Sequence, residues 1–171
     1  MTNDQKIVAT GAATGVVTML ALLAGLSAIM PGIAADAAAG DRLAFAVKWI
    51  ALGALPLALM IASVGNERFG SAAIDPTAGK ESPAMVVNGR ACGNTMQQYL
   101  LFITASLALT ASLSGERMGV ISAAAITFLI ARFTFWVGYR IRPLYRAAGF
   151  SSTFYLNVVL FGYALWLAWF A

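Results

Sequence analysis

Apolar residues fill five stretches of the chain, separated by polar, Gly or Pro breaks, and this pattern predicts five membrane-length helices. The first covers residues 7–30 and is closed by Pro31-Gly32. It is longer than the roughly 7–15 apolar residues of a secretory signal. Although Ala34-Ala35-Asp36-Ala37 resembles a cleavage site, the segment is expected to remain as a span, with Gly11 and Gly15 allowing close helix approach. The second covers 42–64, with Asp41 as its expected N-cap and Pro56 inside it, where neighbouring helices satisfy the freed carbonyl. Lys48, near the start of that span, is expected to snorkel back to the interface. A polar loop, 65–82, carries Asn66, Glu67, Arg68, Asp75, Lys80 and Glu81. Ser82-Pro83 then supplies a cap and a first-turn proline for a third segment over 83–113, whose first turns should stand at headgroup level. After a tight turn at Ser114-Gly115-Glu116-Arg117, the fourth segment spans 118–138. Pro143 and Gly149 interrupt the basic stretch that follows, and Ser151 or Ser152 is expected to cap a fifth segment over 151–171. Tyr163, Trp166, Trp169 and Phe170 form an aromatic anchor at its end.

Composition turns this pattern into a class. Of 171 residues 60% are hydrophobic and 11% charged, with a mean hydropathy of +0.80, more apolar surface than a soluble domain of this size can bury. Residues 1–171 therefore read as a single all-α integral membrane domain. The absence of histidine and the single cysteine, Cys92, exclude a Cys/His metal centre, an imidazole base and an internal disulfide. A net charge of +4 would suit nucleic acid, but the basic residues flank apolar segments and no soluble module presents them. They instead set topology. Lys6, Arg68, Lys80, Arg90, Arg140, Arg142 and Arg146 fall on one side, and only Arg42 and Arg117 on the other. The richer side should be cytoplasmic, which puts the N-terminus and the 65–82 loop inside and the C-terminus on the periplasmic or lumenal side.

The polar chemistry gathers at that cytoplasmic end. Arg90, Asn94, Gln97 and Leu101 are spaced by four, three and four and so share one face of the third segment, bordered by Gln98. Buried amides there need partners, and an interhelical hydrogen-bond seam is one way to supply them. Arg132 lies inside the fourth segment, followed by Phe135, Trp136 and Tyr139. No acidic residue falls within the five segments, so its guanidinium must use amides, carbonyls, lipid phosphate or an anionic ligand. The missing acids, and the lack of an internal repeat, speak against a proton-coupled transporter. Cys92 lies about 200° around the helix from Arg90 and reads as a packing thiol.

Arg90-Ala91-Cys92-Gly93-Asn94-Thr95-Met96-Gln97 resembles the R-A-x-x-N-x-x-E signature of the MAPEG family, membrane-associated proteins of eicosanoid and glutathione metabolism. The stretch Ala131 to Tyr139, with Arg142-Pro143-Leu144-Tyr145-Arg146 after it, resembles that family's third-span end and following loop. The resemblance covers about Arg42 to Ala171 and implies a four-helix bundle, to which the first segment adds an extra N-terminal transmembrane helix, as in mattrin-like or bacterial members. It also implies a homotrimer in the lipid bilayer, with glutathione as co-substrate held between subunits and a lipophilic small molecule as second substrate. Carried over, Arg90, Asn94, Gln97, Arg132 and Tyr139 bind glutathione, and either Arg142 or Arg146 stabilises its thiolate.

The chemistry suits the residues. Glutathione carries two carboxylates and a thiol whose ordinary pKa is about 8.5, which becomes a good nucleophile when a nearby cation favours the thiolate. Two positions depart from the family. Gln97 replaces the glutamate that would pair glutathione's ammonium, and Phe135 stands where an aromatic hydroxyl or imidazole is common. Two functions follow: a glutathione-dependent transferase or peroxidase acting on lipophilic electrophiles or lipid hydroperoxides, or a non-catalytic membrane protein of the same fold that binds lipid or an anionic ligand.

Overall fold

The computed structural model describes residues 1–170, and every regular element among them is helical. The elements are α1 (Asn3–Ile29), α2 (Ala39–Gly53), α3 (Leu55–Phe69), α4 (Pro83–Ser112), α5 (Gly119–Ile141) and α6 (Ala147–Phe170), with 3-10 turns at Gly115–Met118 and Pro143–Arg146. Four rods are long and apolar enough to cross a membrane: α1, α2 with α3, α5 with its leading turn, and α6 with its own. α4 has the length, 30 residues, but its amides and Arg90 dilute its hydropathy. The molecule is a membrane helical bundle.

Local chemistry explains the starts that the sequence anticipates. Met85 N–H donates to the Ser82 hydroxyl at 3.2 Å, and Pro83 occupies the first turn of α4, where no N–H is needed. A reciprocal cap opens α1: Gln5 N–H donates to the Thr2 hydroxyl at 3.2 Å, and Thr2 N–H donates to the Gln5 side-chain oxygen at 2.9 Å.

The second and fifth segments depart from expectation. The second is two helices, because Pro56 has no N–H to offer the Leu52 carbonyl; Ala54 N–H turns back to Ala51 O at 3.1 Å and α3 restarts at Leu55. The cap of α2 is the backbone at Ala38, and Asp41 lies inside the first turn, where a carboxylate still favours the helix dipole. α3 continues to Phe69, so the polar loop begins at Gly70 and Glu67 lies within a helix, three residues past the expected end of the second segment. Lys48 is exposed and shares a surface hollow with Asp36 and Asp41.

α6 starts at Ala147, earlier than expected, and neither Ser151 nor Ser152 caps it. The Ser152 hydroxyl lies within bonding distance of Ala148 O at 2.9 Å and of Gly15 O in α1 at 2.7 Å, and the Thr153 hydroxyl donates to Gly149 O at 2.7 Å. Gly149, expected as a break, is a contact: a Cβ there would fall on the Phe135 backbone of α5. Residue 171 of the expected fifth segment lies outside the described residues.

α1 is built into the bundle at both ends. Gly15 lets its backbone meet that of Ala148 in α6. Arg142, after α5, pairs with Asp4 at 3.4 Å, and at the opposite end Ile33 N–H donates to Gly115 O at 2.9 Å. The ends of the helices thus sort into an arginine-rich end and an opposite end. The half of the bundle toward the opposite end holds the apolar core, where Phe102 and Phe128 stack with ring centroids 4.6 Å apart among Ala105, Leu109, Ile121 and Leu156.

Candidate functional site

α4 buries Asn88, Ala91, Thr95, Gln98 and Phe102, which follow one another by three or four positions. This stripe is rotated by about one residue, near 100°, from the expected polar face. Arg90, Gln97 and Leu101 are exposed, Asn94 is half-buried at the border, and Gln98, expected only at the edge, is inside. The face that α4 turns away from its own chain includes Gly89, Gly93, Gln97 and Leu100, and no atom lies where a Cβ on either glycine would contact it.

Arg132 is the largest fully buried side chain. Both its terminal nitrogens donate to Asn94 Oδ1, each at 3.3 Å, and its guanidinium lies 3.9 Å from the centroid of the Phe135 ring. Its Nε is buried without a hydrogen-bond partner. The Phe135 ring in turn meets Tyr139 edge-on at 5.7 Å. Asn94, Arg132 and Tyr139, expected to act together, are therefore linked across α4 and α5, whereas Arg90 and Gln97 lie on the outward side of α4.

The two arginines left as alternatives diverge. Arg142 reaches α1 and pairs with Asp4. Arg146 stands 5.0 Å over the Tyr139 ring and is exposed. Arg68 pairs with Glu81, so among the described residues Arg90, Arg132, Arg140 and Arg146 have no carboxylate within ion-pair distance. Four cations without an ion-pair partner at one end favour anions there.

Two amide networks escaped the sequence reading. Asn88, fully buried, donates to Glu67 Oε1 at 2.7 Å and accepts from Trp136 Nε1 at 3.0 Å, tying α3, α4 and α5 together. Asn157 in α6 donates to Gln98 at both its backbone and side-chain oxygens, at 3.0 and 2.9 Å. A lone amide in an otherwise apolar stretch was the signal for Asn157; Asn88 gave none apart from standing one helical step before Ala91. Cys92 is partly buried against the Met60, Ala91, Phe135 and Tyr139 cluster, as a packing thiol should be.

A model of the MAPEG family matches residues 46–166 of the chain, so α1 lies outside the matched region. No curated protein and no solved structure matches it.

Proposed function

The chain belongs to the MAPEG family, and from that premise we propose that it is a glutathione-dependent transferase or peroxidase that acts on lipophilic electrophiles or lipid hydroperoxides at the membrane. The observation that carries this reading is Arg132: a fully buried guanidinium with only an amide oxygen and an aromatic face as partners. A buried cation is costly unless paired, and glutathione brings two carboxylates and a thiolate. In this reading Arg132 and Asn94 bind the tripeptide from inside the chain, with Tyr139 behind Phe135 on the same side, and Arg90 and Gln97 meet it on the outward face of α4. Arg146, over Tyr139, is the thiolate-stabilising arginine; Arg142 is held by Asp4.

The outward face of α4, with Arg90, Gln97 and two open glycines, supports a homotrimer in which neighbours meet there. α4 then acts as a fifth span, and the arginine-rich end faces the cytoplasm. A detergent-corrected mass of one subunit would reject the assembly. A reporter fused after Ala171 that is active in the cytoplasm would reject the orientation.

The second reading, a non-catalytic member that binds lipid or an anionic ligand, is favoured by Gln97, which lacks the carboxylate for glutathione's ammonium, and by Asn94, which already occupies Arg132. Thiolate absorbance at about 240 nm separates the two, because only an ionised bound thiol produces it. The parent protein with glutathione should show the band, Arg142→Gln should keep it, and Arg146→Gln should lose it. Conjugation of a chloronitrobenzene should follow the band. No band and no conjugation in the parent would leave the second reading.

A further inference from the structure

At the end of the bundle opposite the arginines, a hollow of about 300 Å³ opens where α1, α5 and α6 come together. Ser27 and Met30 of α1 line it, with Glu116 and Arg117 of the 3-10 turn, Val120 of α5 and Tyr163 of α6. Three features give it chemistry. Glu116 and Arg117 are both exposed and line the same hollow, yet neither takes part in an ion pair among the described residues. Ser27 Oγ is buried without a hydrogen-bond partner, a polar atom that folding has taken from water without replacement. The Tyr163 ring stacks on Trp166 with centroids 6.3 Å apart, and Trp169 follows, 76% exposed. Such rings settle where headgroups meet acyl chains, so the hollow stands at headgroup level.

We infer that this hollow binds the headgroup of a phospholipid that carries both a phosphodiester and a primary ammonium, as phosphatidylethanolamine does, with Arg117, Tyr163 and Ser27 on the phosphate and Glu116 on the ammonium. The two charges on the 3-10 turn are opposite, adjacent and unpaired, the complement of a zwitterion whose own charges are a few bonds apart. A guanidinium suits phosphate oxygens and a carboxylate suits a cation that bears N–H, each through a charge-assisted hydrogen bond. A glycerol headgroup would leave Glu116 without a cation, and a choline would offer it no N–H. Met30 and Val120 supply apolar walls, and the volume, at the lower limit for a small-molecule site, takes a headgroup and leaves both chains in the bilayer. Ser27 and Met30 precede the family match, so the site depends on this chain's extra helix. It lies at the far end of the bundle from Arg132 and Arg146 and does not rest on glutathione chemistry.

The test uses the full-length protein in detergent. Phosphatidylethanolamine, phosphatidylcholine and phosphatidylglycerol with identical chains compete for it in equal amounts, and native mass spectrometry reads which lipid stays bound. Phosphatidylethanolamine should be retained about tenfold over each of the others, the scale of one charge-assisted hydrogen bond. Glu116→Lys should reverse the order in favour of phosphatidylglycerol. Arg117→Gln should weaken all three about tenfold, because the phosphodiester is common to them. Both residues are exposed on a turn, and Lys48→Gln, an exposed cation lining a different hollow, should change nothing. Phosphoethanolamine, the headgroup without its chains, should not displace the lipid at the same concentration; displacement would overturn the lipid in favour of a soluble ligand. Equal retention of the three lipids by the parent, or an order unmoved by Glu116→Lys, would overturn the headgroup assignment. Parent-like binding by Arg117→Gln would overturn the site.

Discussion

The two halves of the α4–α5 pair are held by different physics. Toward the opposite end the helices meet through rings and small residues: Phe102 on Phe128, with Ala105, Ala124 and Ala125 letting the backbones approach. Toward the arginine-rich end the same helices meet through Asn88 with Trp136 and Asn94 with Arg132. In lipid, apolar side chains gain little by leaving one apolar environment for another, so the first half is held by close packing. The second half costs more to build, because every buried amide and guanidinium has to be satisfied. Orphaned polar atoms stand in both halves: Arg132 Nε and Thr95 Oγ1 toward the arginine-rich end, Ser106 Oγ toward the opposite one. The difference separates a half held by packing from a half held by hydrogen bonds.

Substitutions can break this division. The largest effect on stability should come from Phe128→Ala, which opens a cavity in the apolar half; core Phe→Ala changes cost about 3–5 kcal/mol in soluble proteins. The expected signature is a lower melting temperature in detergent, with the thiolate band unchanged below the transition. A variant that melts like the parent, or that loses the band while folded, would blur the two halves. A smaller loss, about 0.5–2 kcal/mol, should follow Asn157→Leu, which strands the Gln98 side chain against the span of α6. Gln98 stands one turn beyond Asn94 and at the boundary between the halves, so chemical denaturation of this variant beside its thiolate band shows how far the polar half extends. An unaltered denaturation curve would place the boundary nearer Arg132.

The sequence made some of this readable and hid the rest for physical reasons. The Ser82-Pro83 start and the pairing of the Arg132 region with the Asn94 face were legible, because a cap is local and a buried arginine demands a nearby oxygen. Which side of α4 points inward was not. One residue of rotation exchanges Gln97 for Gln98, and only the position of Asn157 on another helix fixes the choice. Gly149 read as a break because a glycine that interrupts a helix and one that admits a neighbouring backbone look alike until Phe135 is placed against it. Arg142 and Arg146 are equivalent in spacing; the structure sets Arg142 beside Asp4, far away in sequence, and Arg146 over Tyr139, a difference the spacing does not carry.

The central claim is that the polar half exists to hold an anion, and glutathione calorimetry on Arg132→Leu and Arg90→Leu tests it most directly, with Cys92→Ser as control and melting temperature recorded for each. Removing Arg132 deletes a buried cation that has no acidic partner but also strands the Asn94 side chain, so the melting temperature separates a loss of folding from a loss of binding. Glutathione affinity should fall by about 2–5 kcal/mol in Arg132→Leu, the range for truncating one side of a buried charge pair. It should weaken as well in Arg90→Leu and stay as in the parent in Cys92→Ser. Unchanged affinity in both arginine variants, with folding intact, would contradict the account and leave the buried guanidinium as part of the scaffold.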